Sequence, residues 1–414
     1  MCPFKAWSPM PWQSCKVAVR PGAQKRSRGR DGLRCSETQR RTMRRDNHFG
    51  RWLGCSALLQ ALVLGVGEDS PEPTPRSLRC RLGDGTEMPV VGLGTWKSAK
   101  NEVIAAVYQA ICISGYRHID AAQIYHNHDA VGQGIRQAEQ GCRVPRRDIW
   151  VTSKLWMTDF SPADVPGAVD RILRAMGLSY LDQLLLHWPT PFKKPPPGCP
   201  PACPPEFGGT DDRERPRDTT GNYVPSDVPL ADTWYALQLQ KAQGKVRSIG
   251  VSNFEMEDVA AMTAREGSEL PAVNQVEMHV FWNQANLRAE MKSKGIMMVA
   301  YSPLGNPAIY GEKVEGMKSK LVTEMAAEVG MTPAQVMLNY LIAVDAVVVP
   351  KSVTQARIDE NINFTLKLTP DHIARLERDA PQGRLANPKN RPGGKPVFSH
   401  PVSEGPRHRD RGDL

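Results

Sequence analysis

Eight short apolar runs with helical patterns between them predict an α/β protein of the (β/α)8 TIM-barrel class. The runs are rich in β-branched residues, and they are apolar at consecutive positions rather than at alternate ones. This pattern is typical of strands in a parallel sheet that is covered on both faces. The predicted strands are 89–96, 116–120, 149–154, 183–187, 246–253, 272–277, 295–302 and 346–351. A doubly wound fold is the competing class, and it is disfavoured because no run is followed by the GxGxxG pattern of such folds.

The first predicted element is a β-hairpin that precedes the barrel. Segments 77–82 and 86–89 flank Gly83-Asp84-Gly85, and glycine readily adopts the backbone conformations of a tight turn. Because this hairpin comes before the first barrel strand, we expect it to plug the barrel floor, away from the active-site face.

Helices are predicted between the strands. Apolar residues recur at helical spacing within 103–111. Two hydroxyl-proline pairs, Ser161-Pro162 and Thr332-Pro333, are predicted to begin helices, because the hydroxyl caps free N–H groups and proline needs no partner in the first turn.

The net charge divides the chain into unequal parts. The first 50 residues contain twelve Lys or Arg and three Asp or Glu, an excess that equals the +9 of the whole 414-residue chain. The remainder is neutral overall, which argues against a nucleic-acid-binding core. We therefore expect a basic extension at 1–77, disordered or used for targeting, a barrel at 78–380 and a C-terminal tail at 381–414.

The extension contains one apolar segment, Trp52 to Val66. At 15 residues it is shorter than the roughly 20 that span a bilayer, so we expect no stable membrane span. It fits the core of a signal peptide if translation starts at Met43, and an organellar transit peptide or a faulty gene model are alternatives. We expect a cytoplasmic protein, with an organelle or the secretory route as the alternative.

The nine cysteines show no CxxC pair and no spacing typical of zinc. Disulfides are rare in cytosolic chains, so we expect free thiols in a reducing compartment.

Polar side chains follow the predicted strands at the ends where a barrel places its active site. These residues are Trp96, Asp120, Lys154, His187, Ser252, Asn253, Gln275, Tyr301, Ser302, Lys351 and Ser352. A single polar residue at the end of a strand is common and indicates little. Seven successive strands end in such residues, and we expect these residues to meet in one cleft because the strand ends lie on one face of a barrel.

Four residues near these ends supply the parts of a proton-transfer site. Tyr125 follows Asp120 by five residues, on the loop above the second strand. A tyrosine with a pKa near 10 is a poor acid at neutral pH, and we expect the Lys154 ammonium to lower that pKa. Asp120 would keep Lys154 charged, and His187 would hydrogen-bond a substrate oxygen.

Eight motifs in order resemble the aldo-keto reductase superfamily, and most closely its aldose and aldehyde reductase branch. They are GLGTWK at 92–97, HIDAAQIY at 118–125, TSKLW at 152–156, LHWP at 186–189, IGVSNF at 249–254, NQVE at 274–277, AYSPLG at 300–305 and PKSVTQARIDEN at 350–361. The resemblance covers about residues 78–380. It implies a TIM barrel that binds NADPH or NADP+ without a Rossmann fold, and it implies no metal.

The resemblance also implies a role for each matching residue. Tyr125 would be the general acid, assisted by Lys154, Asp120 and His187. Tyr301 would stack on the nicotinamide, while Lys351, Ser352 and Arg357 would hold the 2′-phosphate, whose charge suits two cations and a hydroxyl. The implied cofactor contacts are Ser252, Asn253, Gln275, Tyr301, Ser302, Leu304, Gly305, Lys351, Ser352, Arg357, Glu360 and Asn361. Trp96, His187 and Trp188 would line the site of a small carbonyl substrate in a monomeric enzyme.

Two features depart from the family pattern. The loop at 190–230 is longer and richer in proline than usual, and it lies where the substrate pocket is walled. His126 and His128 form an HxH pair, which we interpret as a solvated loop because no third metal ligand is in sight.

Two other functions are compatible with such a barrel. A redox-sensing regulatory subunit would bind NADPH, and its catalytic Tyr or His could have been lost, whereas this chain retains Tyr125 and His187. An isomerase or hydrolase that acts on phosphates would need paired carboxylates or metal ligands, and Asp120 and Glu277 are the only acids at the predicted strand ends.

Overall fold

The computed structural model of the chain describes residues 74–199, 202–208, 212–305 and 316–384. The apolar segment 52–66 and almost all of the expected extension 1–77 lie outside the described residues, as does most of the expected tail 381–414.

The described residues form a closed barrel of parallel strands. In chain order these strands are β3 (Leu93–Gly94), β4 (His118–Asp120), β5 (Trp150–Leu155), β6 (Leu181–Leu186), β7 (Val246–Ser252), β8 (Val273–Glu277), β9 (Met297–Tyr301) and β10 (Ala346–Val348). Each strand pairs in parallel with its neighbour in sequence. Parallel bridges from Val91 to Val348 and from Gly94 to Lys351 join the first strand to the last. The predicted (β/α)8 class is confirmed.

A hairpin of β1 (Arg79–Arg81) and β2 (Glu87–Pro89) precedes the barrel in antiparallel register. The side chains of Cys80 and Met88 are buried. The tip of the hairpin touches the residues that lead into a barrel strand, since a Cβ at Gly83 would lie 2.8 Å from the carbonyl oxygen of Gly295. This contact places the hairpin at the amino ends of the strands, on the barrel floor, as the sequence predicts.

Helices surround the barrel and return the chain from one strand to the next. They are α1 (Lys100–Gln109), α2 (His128–Gly141), α3 (Val165–Met176), α4 (Leu230–Ala242), α5 (Met256–Met262), α6 (Ala285–Ser293), α7 (Lys320–Val329), α8 (Pro333–Ala343), α9 (Gln355–Glu360) and α10 (Pro370–Asp379). Within the described residues, none of these helices has the length and apolar character needed to cross a membrane.

One of the two predicted helix starts is confirmed. Thr332 caps α8, and its hydroxyl accepts a hydrogen bond from the backbone N–H of Gln335 at 3.2 Å. The start predicted at Ser161-Pro162 is wrong by about one turn. The chain makes a separate turn there, with the Asp164 N–H bonded to the Ser161 carbonyl, and α3 begins at Val165.

Two disulfide bonds contradict the expectation of free thiols. Cys112–Cys142 joins the turn after α1 to the end of α2, and Cys199–Cys203 closes a short loop within 190–230. Cys80 takes part in neither of these two disulfides, and it is buried. The spacing of 30 residues between Cys112 and Cys142 gave no indication of a pair, because their proximity arises from the packing of α1 against α2.

Candidate active site

A cavity of about 880 Å³ opens at the carboxyl ends of the barrel strands. Its walls come from residues that follow nearly every strand, because these ends meet on one face of the barrel. The predicted residues that line it are Trp96, Asp120, Tyr125, His187, Trp188, Ser252, Asn253, Gln275, Tyr301, Ser302, Leu304, Lys351, Ser352, Arg357, Glu360 and Asn361. The predicted cleft therefore exists, and it gathers almost all of the residues proposed for it.

Two predicted residues do not line the cavity. Lys154 lies behind the surface and reaches it through Tyr125. Gly305 closes a turn in which its N–H bonds to the Ser302 carbonyl, at the end of a described segment.

Lys154 is the centre of a hydrogen-bonded cluster. Its ammonium Nζ lies 2.6 Å from Asp120 Oδ1, 3.0 Å from the Ala121 carbonyl oxygen and 3.2 Å from Tyr125 Oη. Gln275 Nε2 donates to the other Asp120 oxygen at 2.7 Å. The lysine is 1% exposed, so its three protons all have oxygen acceptors in a site without free access to water.

His187 lies on the other side of Tyr125. The two rings are 6.0 Å apart and nearly perpendicular, and the Trp156 ring meets His187 edge-on at 5.2 Å. His187 Nδ1 is buried and has no hydrogen-bond partner among the described residues. The tyrosine hydroxyl and the imidazole thus face the same cavity and can approach one bound oxygen atom.

Burial controls the protonation of these groups. It raises the pKa of Tyr125 well above its usual value of 10.0, and the negative charge of Asp120 raises it further. It lowers the pKa of His187 well below 6.5, with a smaller contribution from the positive charge of Lys154. It also lowers the pKa of Lys154, which Asp120 opposes.

The expectation that Lys154 lowers the pKa of Tyr125 is therefore wrong for this structure. The lysine charge is largely balanced by Asp120, so the loss of hydration around the phenol decides the direction. Tyr125 is a protonated hydroxyl at neutral pH, and His187 is a neutral imidazole.

A second hydrogen-bonded network joins residues that line the cavity. Ser252 Oγ donates to the Gln275 carbonyl oxygen at 2.8 Å, and Asn253 Nδ2 donates to the His187 carbonyl oxygen at 3.0 Å. Tyr301 Oη donates to Asn253 Oδ1 at 2.9 Å, which fixes the phenol ring as part of the cavity wall. Asn253 and Ser302, each directly after a strand, have left-handed backbone with φ of 64° and 49°. Such strained conformations cluster at ligand sites, where they turn side chains toward the ligand.

Two cations line the part of the cavity that is formed by the segment after β10. Lys351 and Arg357 line it from the loop and short helix after β10, and neither side chain forms an ion pair or hydrogen bond with a described residue. Ser352 is buried beside them. Two cations without acidic partners, together with a hydroxyl, are the donor set that a phosphate group needs, so these residues fit the phosphate end of a dinucleotide.

The HxH pair is divided between two environments. His126 is exposed and its Nε2 lies 3.0 Å from Glu214 Oε2, whereas His128 is buried and its Nε2 lies 2.9 Å from Ser153 Oγ. Their partners are therefore a carboxylate and a hydroxyl on separate elements.

Trp156 and Arg215 are among the cavity residues that had no role assigned from the sequence. Trp156 stands at the end of a recognised motif, so its position was visible although its contact with His187 was not. Arg215 belongs to the long loop at 190–230, and nothing in its local pattern places it at the cavity. Its position depends on contacts between that loop and the barrel.

The motifs are matched by a family model. The model of the aldo/keto reductase family covers residues 90–379. The chain belongs to the aldo/keto reductase family. Membership of this family supports oxidoreductase activity on carbonyl compounds.

Similar proteins come from distant organisms. An aldo-keto reductase family 4 member C11 from Arabidopsis thaliana is 38% identical over 68% of this chain and 82% of its own length. The human aldo-keto reductase family 1 member A1 is 34% identical over 71% of this chain and 87% of its own length. The solved structure of the aldose reductase from Schistosoma japonicum has a TM-score of 0.66 at 34% identity, and it covers 74% of this chain and 93% of that one.

The buried ion pair predicts how stability responds to Asp120→Asn. The variant leaves Lys154 without its counter-charge, and breaking a buried pair costs roughly 3–5 kcal/mol of unfolding free energy at neutral pH. Because the pKa of Lys154 is lower in the folded protein than in the unfolded chain, the unfolded chain binds this proton more readily. The stability of the variant should therefore rise as the pH approaches the pKa of free lysine, about 10.4. Urea unfolding at several pH values measures this.

The matched control is Asp129→Asn, which breaks an exposed pair with Lys100. Exposed pairs contribute about 1 kcal/mol or less. Equal, pH-independent losses in both variants would contradict a charged lysine in the barrel.

Proposed function

We propose that the chain is an NADPH-dependent reductase that converts an aldehyde, aldose or ketone carbonyl to an alcohol. The observation that carries this proposal is the Tyr125 hydroxyl, which faces the cavity 3.2 Å from the buried Lys154 ammonium. NADPH, when bound, supplies the hydride that the carbonyl carbon accepts. The chain supplies binding, orientation and a proton.

The proton comes from Tyr125 Oη. Because burial keeps this hydroxyl protonated, it can donate to the carbonyl oxygen as negative charge develops there. The phenolate that remains is stabilised by Lys154 Nζ, and Asp120 keeps that lysine charged. Lys154 thus acts on the product of proton transfer rather than on the resting tyrosine.

His187 orients the substrate. As a neutral imidazole it offers one N–H to the carbonyl oxygen beside Tyr125. Trp96, Trp156 and Trp188 supply apolar surface around the reacting group. An apolar wall with a few convergent polar groups suits a small carbonyl compound.

The cofactor residues divide by position along the cavity. Ser252, Asn253 and Gln275 would contact the nicotinamide amide, with Tyr301 against the ring. Lys351, Ser352 and Arg357 would hold the 2′-phosphate, and Glu360 and Asn361 would contact the adenine. Lys351 and Arg357, which form no ion pair with a described residue, favour NADPH over NADH, which lacks that phosphate.

The complete set of Tyr125, Lys154, Asp120 and His187 favours an enzyme over a redox-sensing subunit of the same fold. In a subunit that only binds NADPH, no reaction would depend on the hydroxyl of Tyr125. We also propose that residues 78–380 contain the whole catalytic unit, since every residue used here lies within them.

Tyr125→Phe tests the assignment of the acid. It removes the hydroxyl and leaves the ring, and general acid catalysis contributes roughly 10²–10⁴-fold. We expect kcat with NADPH and a small aldehyde to fall by a factor of at least about 10². The Kd for NADPH, measured by fluorescence titration, should stay within about twofold of the wild-type value. The control is Tyr180→Phe, whose ring lies between Arg146 and Arg247 away from the cavity. Near-normal turnover of Tyr125→Phe would remove Tyr125 from the proton-donor role.

Arg357→Ala tests the choice of cofactor. A charge-assisted hydrogen bond contributes on the order of 1.5–3 kcal/mol, which corresponds to a roughly ten- to hundredfold weaker Kd for NADPH. NADH lacks the phosphate, so its Kd should hardly change. Arg375→Ala, which removes an arginine paired with Glu328 elsewhere on the surface, is the control. Equal losses for NADPH and NADH would show that Arg357 does not read the phosphate.

A further inference from the structure

The sequence contains a single Asn-X-Ser/Thr triplet, Asn363-Phe364-Thr365, in the segment that joins α9 to α10. In a chain that enters the secretory route, such a triplet is the acceptor for an N-linked oligosaccharide. The triplet begins two residues after Asn361, yet its three residues are outside the described lining of the active-site cavity. The proposed reductase chemistry therefore makes no use of it.

The side chain of Asn363 presents its amide nitrogen at the surface. Asn363 is exposed, whereas Phe364 beside it is buried. Asn363 Oδ1 accepts a hydrogen bond from Arg76 Nη2 at 2.6 Å, and its Nδ2 forms no hydrogen bond with a described residue. The backbone is held on both sides, since the N–H donates to the Asp359 carbonyl oxygen at 2.9 Å and the carbonyl oxygen accepts from Gln335 Nε2 at 3.2 Å. The acceptor atom of the triplet thus stands free on a fixed backbone.

The surface beside this nitrogen has room for a sugar. A cavity of about 470 Å³ is lined by Asn363 and Thr365 together with Arg76, Gln335 and Lys367. These polar side chains can hydrogen-bond the hydroxyl groups of a sugar. Attachment at Nδ2 leaves Oδ1 in place, so the contact with Arg76 is compatible with the modified side chain.

The two disulfide bonds indicate the compartment in which such a modification occurs. Cys112–Cys142 lies beside α1 and α2, and Cys199–Cys203 lies in the long loop after β6, so each is independent of the other. Disulfides persist in the secretory route and outside the cell, and they are rare in the cytosol. The apolar segment 52–66 follows three arginines within 44–51, which is the composition of a signal-peptide core and its basic flank. These features favour the secretory route over a cytoplasmic location.

We propose that the chain enters the secretory route and that Asn363 is an N-glycosylation site. The donor is an oligosaccharide linked through a diphosphate to a lipid. A bond forms between Asn363 Nδ2 and the anomeric carbon of the first sugar, and the bond from that carbon to the phosphate oxygen breaks. The lipid diphosphate leaves with the electron pair of the broken bond, and one amide proton goes to the solvent. This inference goes beyond the proposed reductase function and does not depend on it.

The test uses the full chain, with its own amino terminus, expressed in a eukaryotic cell. Its electrophoretic mobility is compared before and after treatment with peptide N-glycosidase. We expect the wild type to lose mass on treatment, and peptide mass spectrometry should find Asp in place of Asn363, because the enzyme leaves an aspartate where it removes the glycan.

A matched pair of variants at Thr365 separates glycosylation from folding. Thr365→Ala removes the hydroxyl of the triplet and should abolish the mass loss, whereas Thr365→Ser keeps the hydroxyl and should retain it. The contact that Thr365 makes through its backbone carbonyl, with Asn339 Nδ2 at 3.0 Å, is available in both variants.

The disulfides provide a second measurement on the same material. In the denatured but unreduced chain, Cys112, Cys142, Cys199 and Cys203 should resist labelling by a maleimide, and they should react after reduction. A wild type whose mass does not change on treatment, or a mass loss that Thr365→Ala retains, overturns the assignment of Asn363. Labelling of all four cysteines without reduction overturns the proposed route. None of these readouts depends on catalysis, so the reductase function stands or falls by its own tests.

Discussion

The buried ion pair of Lys154 and Asp120 is the interaction on which the candidate site depends. Both side chains are nearly inaccessible to solvent, and removing two charges from water carries a cost of several kcal/mol per ion. The barrel offsets this cost by surrounding the pair with further partners. Tyr125 and the Ala121 carbonyl accept from the lysine, and Gln275 donates to the aspartate. Strands β4, β5 and β8 are thereby tied together at the point where the chemistry is proposed.

This arrangement explains why burial, rather than the neighbouring lysine, sets the resting state of Tyr125. An ammonium whose charge is already matched by a carboxylate exerts little net field on the phenol. Once a proton leaves Tyr125, however, the phenolate lies within hydrogen-bond distance of Lys154. The pair is thus arranged for the charge that appears during the reaction, which is the general feature of a preorganised site.

The barrel and most of the site were predictable from the sequence for one geometric reason. Parallel strands bring their carboxyl ends to one face, so the residue after each apolar run is placed without knowledge of the helices. Features that depend on packing between elements were not predictable. The Cys112–Cys142 disulfide requires α1 and α2 to pack together, and the pKa direction of Tyr125 requires its burial to be known. Arg215 reaches the cavity because Trp156 and His126 hold the preceding residue, and these contacts leave no periodic pattern in the chain.

The central claim is that a tyrosine kept protonated by burial, beside a neutral histidine, delivers the proton. The pH dependence of kcat/KM for NADPH-driven aldehyde reduction tests it most directly, since this profile reports the pKa values of the free enzyme. With the pKa of Tyr125 well above 10.0 and that of His187 well below 6.5, the profile should be flat from about pH 7 to about pH 10. A decline of kcat/KM with a midpoint between about pH 7 and pH 9 would contradict the account. It would show that the proton donor loses its proton in a pH range where Tyr125 stays protonated.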